Sequence, residues 1–263
     1  MDWSKTKTIF IIMFLILDIF LIYELMIQRN ESQVQYKKET SLEEKLDAEN
    51  IKIPQVPEDP KKEKFVEASL KQFKAKDLTS LNNQETSIIE GTSIHSIFPD
   101  PIPLAADWTK ADVDEFVRKN ILYGDKYKYW SYDEKSNTIT YYQVFEDKLF
   151  FENSRAQIKI FLNEENEIES YEQTMLDQIQ KLKDIEIMTA LEAIEVLYHK
   201  GILEAGSEIT DITLGYYSLI PSTSTQLLAP TWNFVIDGEE NVFVNALEGH
   251  VIQRTNNENK VLE

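Results

Sequence analysis

The chain has 263 residues, of which 42% are hydrophobic and 28% charged, so most of it can bury a core within one or two domains. Its 46 acidic and 27 basic residues give a net charge of −19, which argues against a nucleic-acid partner because duplex affinity comes largely from Lys and Arg at phosphates. It has no cysteine, which excludes disulfides and thiolate sites, and its three histidines are far apart in sequence. An ordinary soluble enzyme is therefore disfavoured.

The first informative segment is the apolar run at residues 9–27, which is interrupted by only two acidic residues. As an α-helix this run would span about 28 Å, close to the ~30 Å hydrocarbon core of a bilayer. It is longer than the apolar region of a cleaved signal peptide and lacks a small-residue cleavage pattern. We therefore expect a transmembrane helix at 9–27, a cytoplasmic tail at 1–8 and an extracellular C-terminal region, an orientation favoured by Lys5 and Lys7.

Asp18 lies near the middle of this run. A charge there costs ~2.5–3.5 kcal/mol on insertion scales, and such residues usually face a helix bundle or a cavity. A chain with one span has no bundle of its own, so Asp18 predicts a partner helix, in a homodimer or in another membrane protein. Phe14 and Ile22, one turn to either side, would share that contact face. The alternative is a protonated Asp18 that a very apolar helix tolerates.

Residues 28–63 predict a juxtamembrane stalk. Their first part is polar with sparse apolar positions, and the second contains Pro54, Pro57 and Pro60, which favour an extended spacer over a helix. A short coiled-coil seam is the alternative for the first part. Three further prolines at residues 99–103 predict a second boundary.

The first exterior module is expected at residues 64–183. A helix at 108–120 has its apolar residues at helical spacing and Thr109 as its N-cap. Aromatic and β-branched runs then predict an antiparallel meander with strands at 127–132, 138–145, 155–162 and 168–175.

The second exterior module is expected at residues 184–263. Thr189 and Glu192 fit a capping box at the start of a helix that stops at Gly201. Three strands follow, and Asp237-Gly238 predicts a tight turn between the last two; the strands are at 209–220, 230–236 and 241–251. The two blocks together predict an α+β fold of two modules, each with a helix laid across an antiparallel sheet.

The sequence lacks the motifs of known catalytic sites. It has no Gly-x-Ser-x-Gly elbow, glycine-rich phosphate loop, His-Glu-x-x-His or calcium-loop pattern. We therefore expect no enzymatic activity and no catalytic, cofactor-binding or metal-binding residues. A wall hydrolase that uses the paired glutamates at 164–165 or 239–240 is an alternative, although both pairs fall in predicted turns.

An aromatic cluster marks the strands of the first module and includes Tyr129, Trp130, Tyr141 and Tyr142. Alternation along two paired strands would place half of these rings in the core and half on an exposed face. The exposed rings predict contact with a protein partner, because Tyr and Trp are favoured at interface centres. A platform for carbohydrate is the alternative.

The opening MDWSKTKTIF at residues 1–10 resembles the start of the YycI (WalI) proteins of low-GC Gram-positive bacteria. The resemblance continues in ALEAIEVLY at 190–198, LGYYS at 214–218 and QLLAPTW at 226–232. It covers the expected anchor and most of the exterior region. Residues 230–249 are also similar to the PepSY-type helix-and-hairpin unit.

The resemblance implies a cell-membrane regulator and not an enzyme. Proteins of this family modulate the WalK (YycG) sensor histidine kinase of the WalK/WalR (YycG/YycF) two-component system, which governs cell-wall metabolism. They act with a companion, YycH, and partly through their transmembrane helices, where Asp18 would supply a polar contact. The implied partners are therefore a WalK-type kinase and a YycH-like protein. The alternative is an anchored extracellular binding module for cell-wall glycan or peptide.

Overall fold

The computed structural model describes the chain at residues 13–15, 17–18, 20–21, 42–57, 60, 62–105, 107–218, 225–255 and 258–262. The described positions of the expected transmembrane segment 9–27 are helical, and its other positions lie outside the described residues, as does the tail 1–8. Among the helices of the described chain, none is both long enough and apolar enough to cross a membrane.

The described chain is a mixed α+β structure dominated by strands. Its helices are α1 (residues 42–48), α2 (Lys110–Asn120) and α3 (Ala190–His199), with 3-10 turns at Ala75–Ser80 and Gly124–Lys126. Its strands are β1 Lys62–Leu70, β2 Glu85–Ile89, β3 Ser93–Pro103, β4 Tyr127–Asp133, β5 Thr138–Phe145, β6 Lys148–Phe151, β7 Gln157–Leu162, β8 Glu167–Thr174, β9 Leu176–Glu186, β10 Ile209–Ser218, β11 Thr225–Ile236, β12 Glu240–Asn245, β13 Val251–Thr255 and β14 Glu258–Leu262.

Within the described residues these strands join in one hydrogen-bonded sheet. The main path runs β14-β13-β12-β11-β10-β6-β5-β7-β8-β3-β2, with β4 beside β5 and with β1 between β9 and β11. All pairs are antiparallel except β6 with β10, where Tyr216 lies opposite Phe150. The expected meander of β4, β5, β7 and β8 is present.

The two expected modules are parts of this one sheet. β1 of the first pairs with β11 of the second, and β6 pairs with β10, so no break in pairing falls at residue 183. The chain instead divides into one compact unit of Met1–Lys52 with Tyr198–Glu208 and another of Ile53–Leu197 with Ile209–Glu263, which holds all the strands. The observed division differs from the expected boundary at residue 183 because β1 pairs with strands distant in sequence. No local sequence pattern in β1 identifies those partner strands.

Helix α2 packs on the sheet as its pattern predicts. Val113, Phe116 and Val117 are buried in one apolar cluster with residues of β3, β5, β7 and β8. Thr109 begins the helix in a capping box with Asp112, whose carboxylate accepts the Thr109 N–H at 2.7 Å.

Helix α3 begins at the predicted capping box. The Glu192 N–H donates to Thr189 Oγ1 at 3.2 Å, and the Thr189 N–H donates to the Glu192 carboxylate at 2.8 Å. Its core face contains Ala190, Ala193, Ile194 and Leu197, while Leu191 is only half-buried. The predicted turn at Asp237-Gly238 is confirmed, because both residues have positive φ, 53° and 77°.

Two proline-rich stretches differ from expectation. Residues 99–103 are not a boundary but the end of β3, where pairing with β8 is interrupted between Ile97 and Ile102. Proline lacks an N–H and is tolerated at such an irregularity. In the expected stalk, residues 42–48 are helical and β1 already begins at Lys62.

Candidate interaction surface of strand β4

Strand β4 carries two of the predicted contact residues and pairs, among the described residues, only with β5. Its pairing skips one residue, Trp130, between the Tyr129–Tyr141 and Ser131–Thr140 pairs. A bulge of this kind re-aims the side chain of the extra residue and is common at sheet edges. As a result Tyr129 and Trp130 pack against different aromatic partners.

Tyr129 packs over Tyr141, whose ring centroid is 5.6 Å away in an edge-on arrangement. Tyr141 is 1% exposed and its hydroxyl donates to Asp114 Oδ1 at 2.8 Å. Burial, reinforced by the Asp114 carboxylate, raises the pKa of Tyr141 far above its usual value, so the phenol stays a neutral donor. Tyr129 is half-buried, and the Lys110 ammonium lies 5.6 Å from its ring centroid.

Trp130 packs on a second aromatic group. Its ring centroid is 5.5 Å from Tyr142, 5.9 Å from Phe151 and 6.4 Å from Phe243. Tyr142 is 5% exposed, whereas Trp130 is half-buried. Tyr141 and Tyr142 are therefore core residues, and of the four expected aromatic contacts only Tyr129 and Trp130 keep surface for a partner.

A polar groove of about 310 Å³ lies between α2 and β4. Its floor is formed by buried residues that include Val117, Tyr127 and Tyr141, and its rim carries three basic and two acidic side chains, Lys110, Arg118, Lys128, Asp114 and Asp125. The rim is thus net positive, although the whole chain carries −19.

Three charged side chains of this groove each make a different contact. Lys110, Asp114 and Arg118 follow one another at four-residue spacing, which usually favours ion pairs between neighbouring turns. Here Asp114 accepts from Tyr141, Lys110 lies over Tyr129, and Arg118 Nε donates to the Asp114 main-chain carbonyl at 3.1 Å. The groove therefore offers a positive, negative, positive row of oriented groups.

A second, more apolar cavity of about 460 Å³ lies beside Lys128, which lines both cavities. It is bordered by Leu149 and Phe151 of β6, by residues 212–214 of β10 and by Trp232 of β11. All three of residues 212–214 line this cavity because it opens along the edge of β10. β6 pairs with β10 only at Tyr216 and Tyr217, which leaves that edge open within the described chain.

Gly215 makes the junction of β6 and β10 possible. A Cβ atom at this position would lie 2.4 Å from the Phe151 ring and 2.7 Å from the Leu149 carbonyl oxygen. Only glycine allows this approach of the two strands.

The predicted membrane contact falls partly within the described chain. Asp18 and Phe14 are helical and exposed, whereas Ile22 lies outside the described residues. No group of three or more metal-ligating side chains is gathered in the described residues. The groove between α2 and β4 was not expected from sequence; its only signal is the spacing of Lys110, Asp114 and Arg118.

The model of the YycI protein family matches residues 29–247 of this chain. The chain belongs to the YycI family. This is a regulatory family and not an enzyme family, and membership supports a role in the YycG/WalK two-component system. The resemblance seen in the sequence is thus confirmed.

The solved structures similar to this chain include the following three. An uncharacterized protein from Eubacterium rectale has a TM-score of 0.44 at 11% identity, covering 78% of this chain and 91% of that one. YycH from Bacillus subtilis has a TM-score of 0.40 at 12% identity, covering 73% of this chain and 54% of YycH. The C-terminal domain of YpeB from Bacillus megaterium has a TM-score of 0.39 at 9% identity, covering 75% and 90%. No curated protein sequence matches the chain.

Proposed function

We propose that this YycI family protein is a non-enzymatic, membrane-anchored regulator of a WalK-type sensor histidine kinase, acting with a YycH-like companion. The family match over residues 29–247 carries the proposal. The apolar run 9–27 serves as the single anchor, with the N-terminus in the cytoplasm and the strands outside the cell.

Regulation of this kind requires different binding free energies for two kinase states. A ligand that binds active and inactive kinase equally shifts nothing, however tightly it binds. A difference of about 1.4 kcal/mol changes the ratio of the two states tenfold. Asp18 supplies one contact within the membrane, and the half-buried rings of Tyr129 and Trp130 on β4 supply another outside.

A photo-cross-linking residue at position 129 tests the exterior contact. In membranes that contain the kinase and a YycH-like protein, the variant with this residue in place of Tyr129 should cross-link to one of these two proteins. The side chain at position 129 is only half-buried, so part of it is accessible at the edge of β4. Glu134, an exposed turn residue after β4, is the matched control and should give no specific product. Equal cross-linking at both positions, or none at 129, contradicts the assignment of β4.

The groove between α2 and β4 favours a second candidate, an anchored binding module for wall peptide or glycan. Its oriented Lys110, Asp114 and Arg118 suit a ligand that carries both donor and acceptor groups. Soluble wall fragments should then bind the full chain in calorimetry, and Asp114→Asn or Arg118→Met should weaken binding about tenfold, as expected for loss of one charged hydrogen bond.

Lys119→Met is the control for this second candidate, because Lys119 lies on the same helix outside the groove. The Lys119→Met variant should bind wall fragments with the same affinity as the parent. If all three variants bind as the parent does, the groove is not the binding site.

A further inference from the structure

Residues 49–52 of the expected stalk are hydrogen-bonded to residues 198–208, which comprise the last two residues of α3 and the α3–β10 connection. The Gly206 N–H donates to the Glu49 carbonyl at 2.9 Å, and the Lys52 N–H donates to the Ser207 carbonyl at 3.0 Å. Lys52 also forms a parallel β-bridge with Glu208, and their side chains pair at 3.8 Å. Two main-chain hydrogen bonds and one ion pair thus tie residues 206–208 of the connection to Glu49 and Lys52.

Side chains reinforce this attachment. The Tyr198 hydroxyl, in the last turn of α3, donates to the Glu49 carboxylate at 2.6 Å, and this hydrogen bond raises the pKa of Tyr198. Leu42, Leu46 and Ile51 are only 3%, 2% and 3% exposed. A free spacer would leave these three apolar side chains in water, which is unfavourable relative to burial.

We propose that residues 42–52 are a clamp, which fixes the start of the exterior chain to the α3–β10 connection. A displacement of the chain before residue 42 is then transmitted directly to the end of α3, because no flexible stalk absorbs it. In a regulator, this couples the position of the membrane anchor to the end of α3.

The clamp also limits the reach of the exterior region, a consequence that rests on the proposed anchor at 9–27. A free stalk over residues 28–63 could extend at most about 130 Å, at up to ~3.6 Å per residue. With residues 42–52 fixed, the 14 residues 28–41 between the anchor and the clamp can span at most about 50 Å.

An engineered disulfide tests the clamp directly, because the chain contains no cysteine of its own. Lys52 and Glu208 are bridge partners, so their Cα atoms lie within the range that a disulfide spans. The full chain with Lys52→Cys and Glu208→Cys, in detergent, should form an intramolecular disulfide nearly completely under mild oxidation. Each single variant is the control and should give only the thiol or an intermolecular dimer. A double variant that stays reduced overturns the clamp.

Hydrogen exchange on the full chain gives a second test. The amides of Lys52 and Gly206 should be protected in the parent, and Leu46→Ala should speed their exchange at least tenfold without changing exchange in β5. Leu182→Ala, at an exposed leucine of β9, is the matched control and should change neither amide. Parent amides that exchange at the rate of an unfolded chain, or a Leu46→Ala variant identical to the parent, overturn the proposal. Both tests are intramolecular, so they report on the clamp whether or not the chain binds a kinase.

Discussion

Replacing Gly215 with alanine is expected to lower the free energy of unfolding by about 3 kcal/mol, the upper end of the usual cost of overpacking. The added Cβ would lie 2.4 Å from the Phe151 ring and 2.7 Å from the Leu149 carbonyl oxygen, so β6 must move away from β10. Because these strands link the two halves of the sheet, the change should also disturb the cavity beside Lys128.

Thermal unfolding of the full chain in detergent measures this effect. For a protein of this size a loss of that magnitude corresponds to a fall in melting temperature of roughly 6–12 °C. Thr213→Ala is the control, because Thr213 is exposed on the same strand two residues away, and its effect should stay within about 0.5 kcal/mol. Equal melting temperatures for Gly215→Ala and the parent would show that β6 does not pack on β10 as described.

Local patterns were sufficient to predict the elements with strong periodicity. Helices α2 and α3 begin within two residues of expectation, because Thr109 and Thr189 are capping residues before amphipathic runs. Strand β5 has the predicted bounds, since its β-branched and aromatic residues are typical of a buried strand.

Strands that depend on distant partners were missed. β9 is exposed at most positions and rich in Lys, Asp and Gln, so nothing local marks it as a strand; its pairing with β1 decides its structure. β6 has only four residues, too few to show a period. The prolines at 99–103 resemble a linker in sequence, but they lie in β3, where pairing with β8 skips Pro99 and Pro101 and resumes at Ile102 and Pro103.

The candidate site was predicted only in part. The aromatic cluster pointed to β4 and β5, yet both sheet faces are covered there, so Tyr141 and Tyr142 are buried together with the expected core residues. The burial of both adjacent tyrosines depends on packing from α2, β6 and β12, which no local pattern contains. The polar groove likewise depends on Tyr141, which orients Asp114 from another element.

Replacing Asp18 with leucine is expected to weaken association with a partner helix about threefold to thirtyfold, because a polar contact between membrane helices is worth ~0.6–2 kcal/mol. Asp18→Asn should retain association, since an amide still forms hydrogen bonds across helices. Energy transfer in membranes between the labelled chain and the kinase measures both variants.

As the control against a change in the exterior fold, hydrogen exchange of the strands should be unchanged in both Asp18→Leu and Asp18→Asn. If Asp18→Leu associates as well as the parent, and a scrambled apolar anchor does so too, the anchor is only a tether. The contact with the kinase would then depend on the exterior surface at Tyr129 and Trp130.

If this YycI family protein changes the balance of kinase states, a reconstituted kinase should respond to it. Autophosphorylation of a WalK-type kinase in bilayers should be measured with and without the full chain, in the presence of a YycH-like companion. We expect a change in rate of about tenfold, which corresponds to ~1.4 kcal/mol of differential binding, and a loss of that change with Asp18→Leu. An unchanged rate, while all three proteins co-purify, would contradict it.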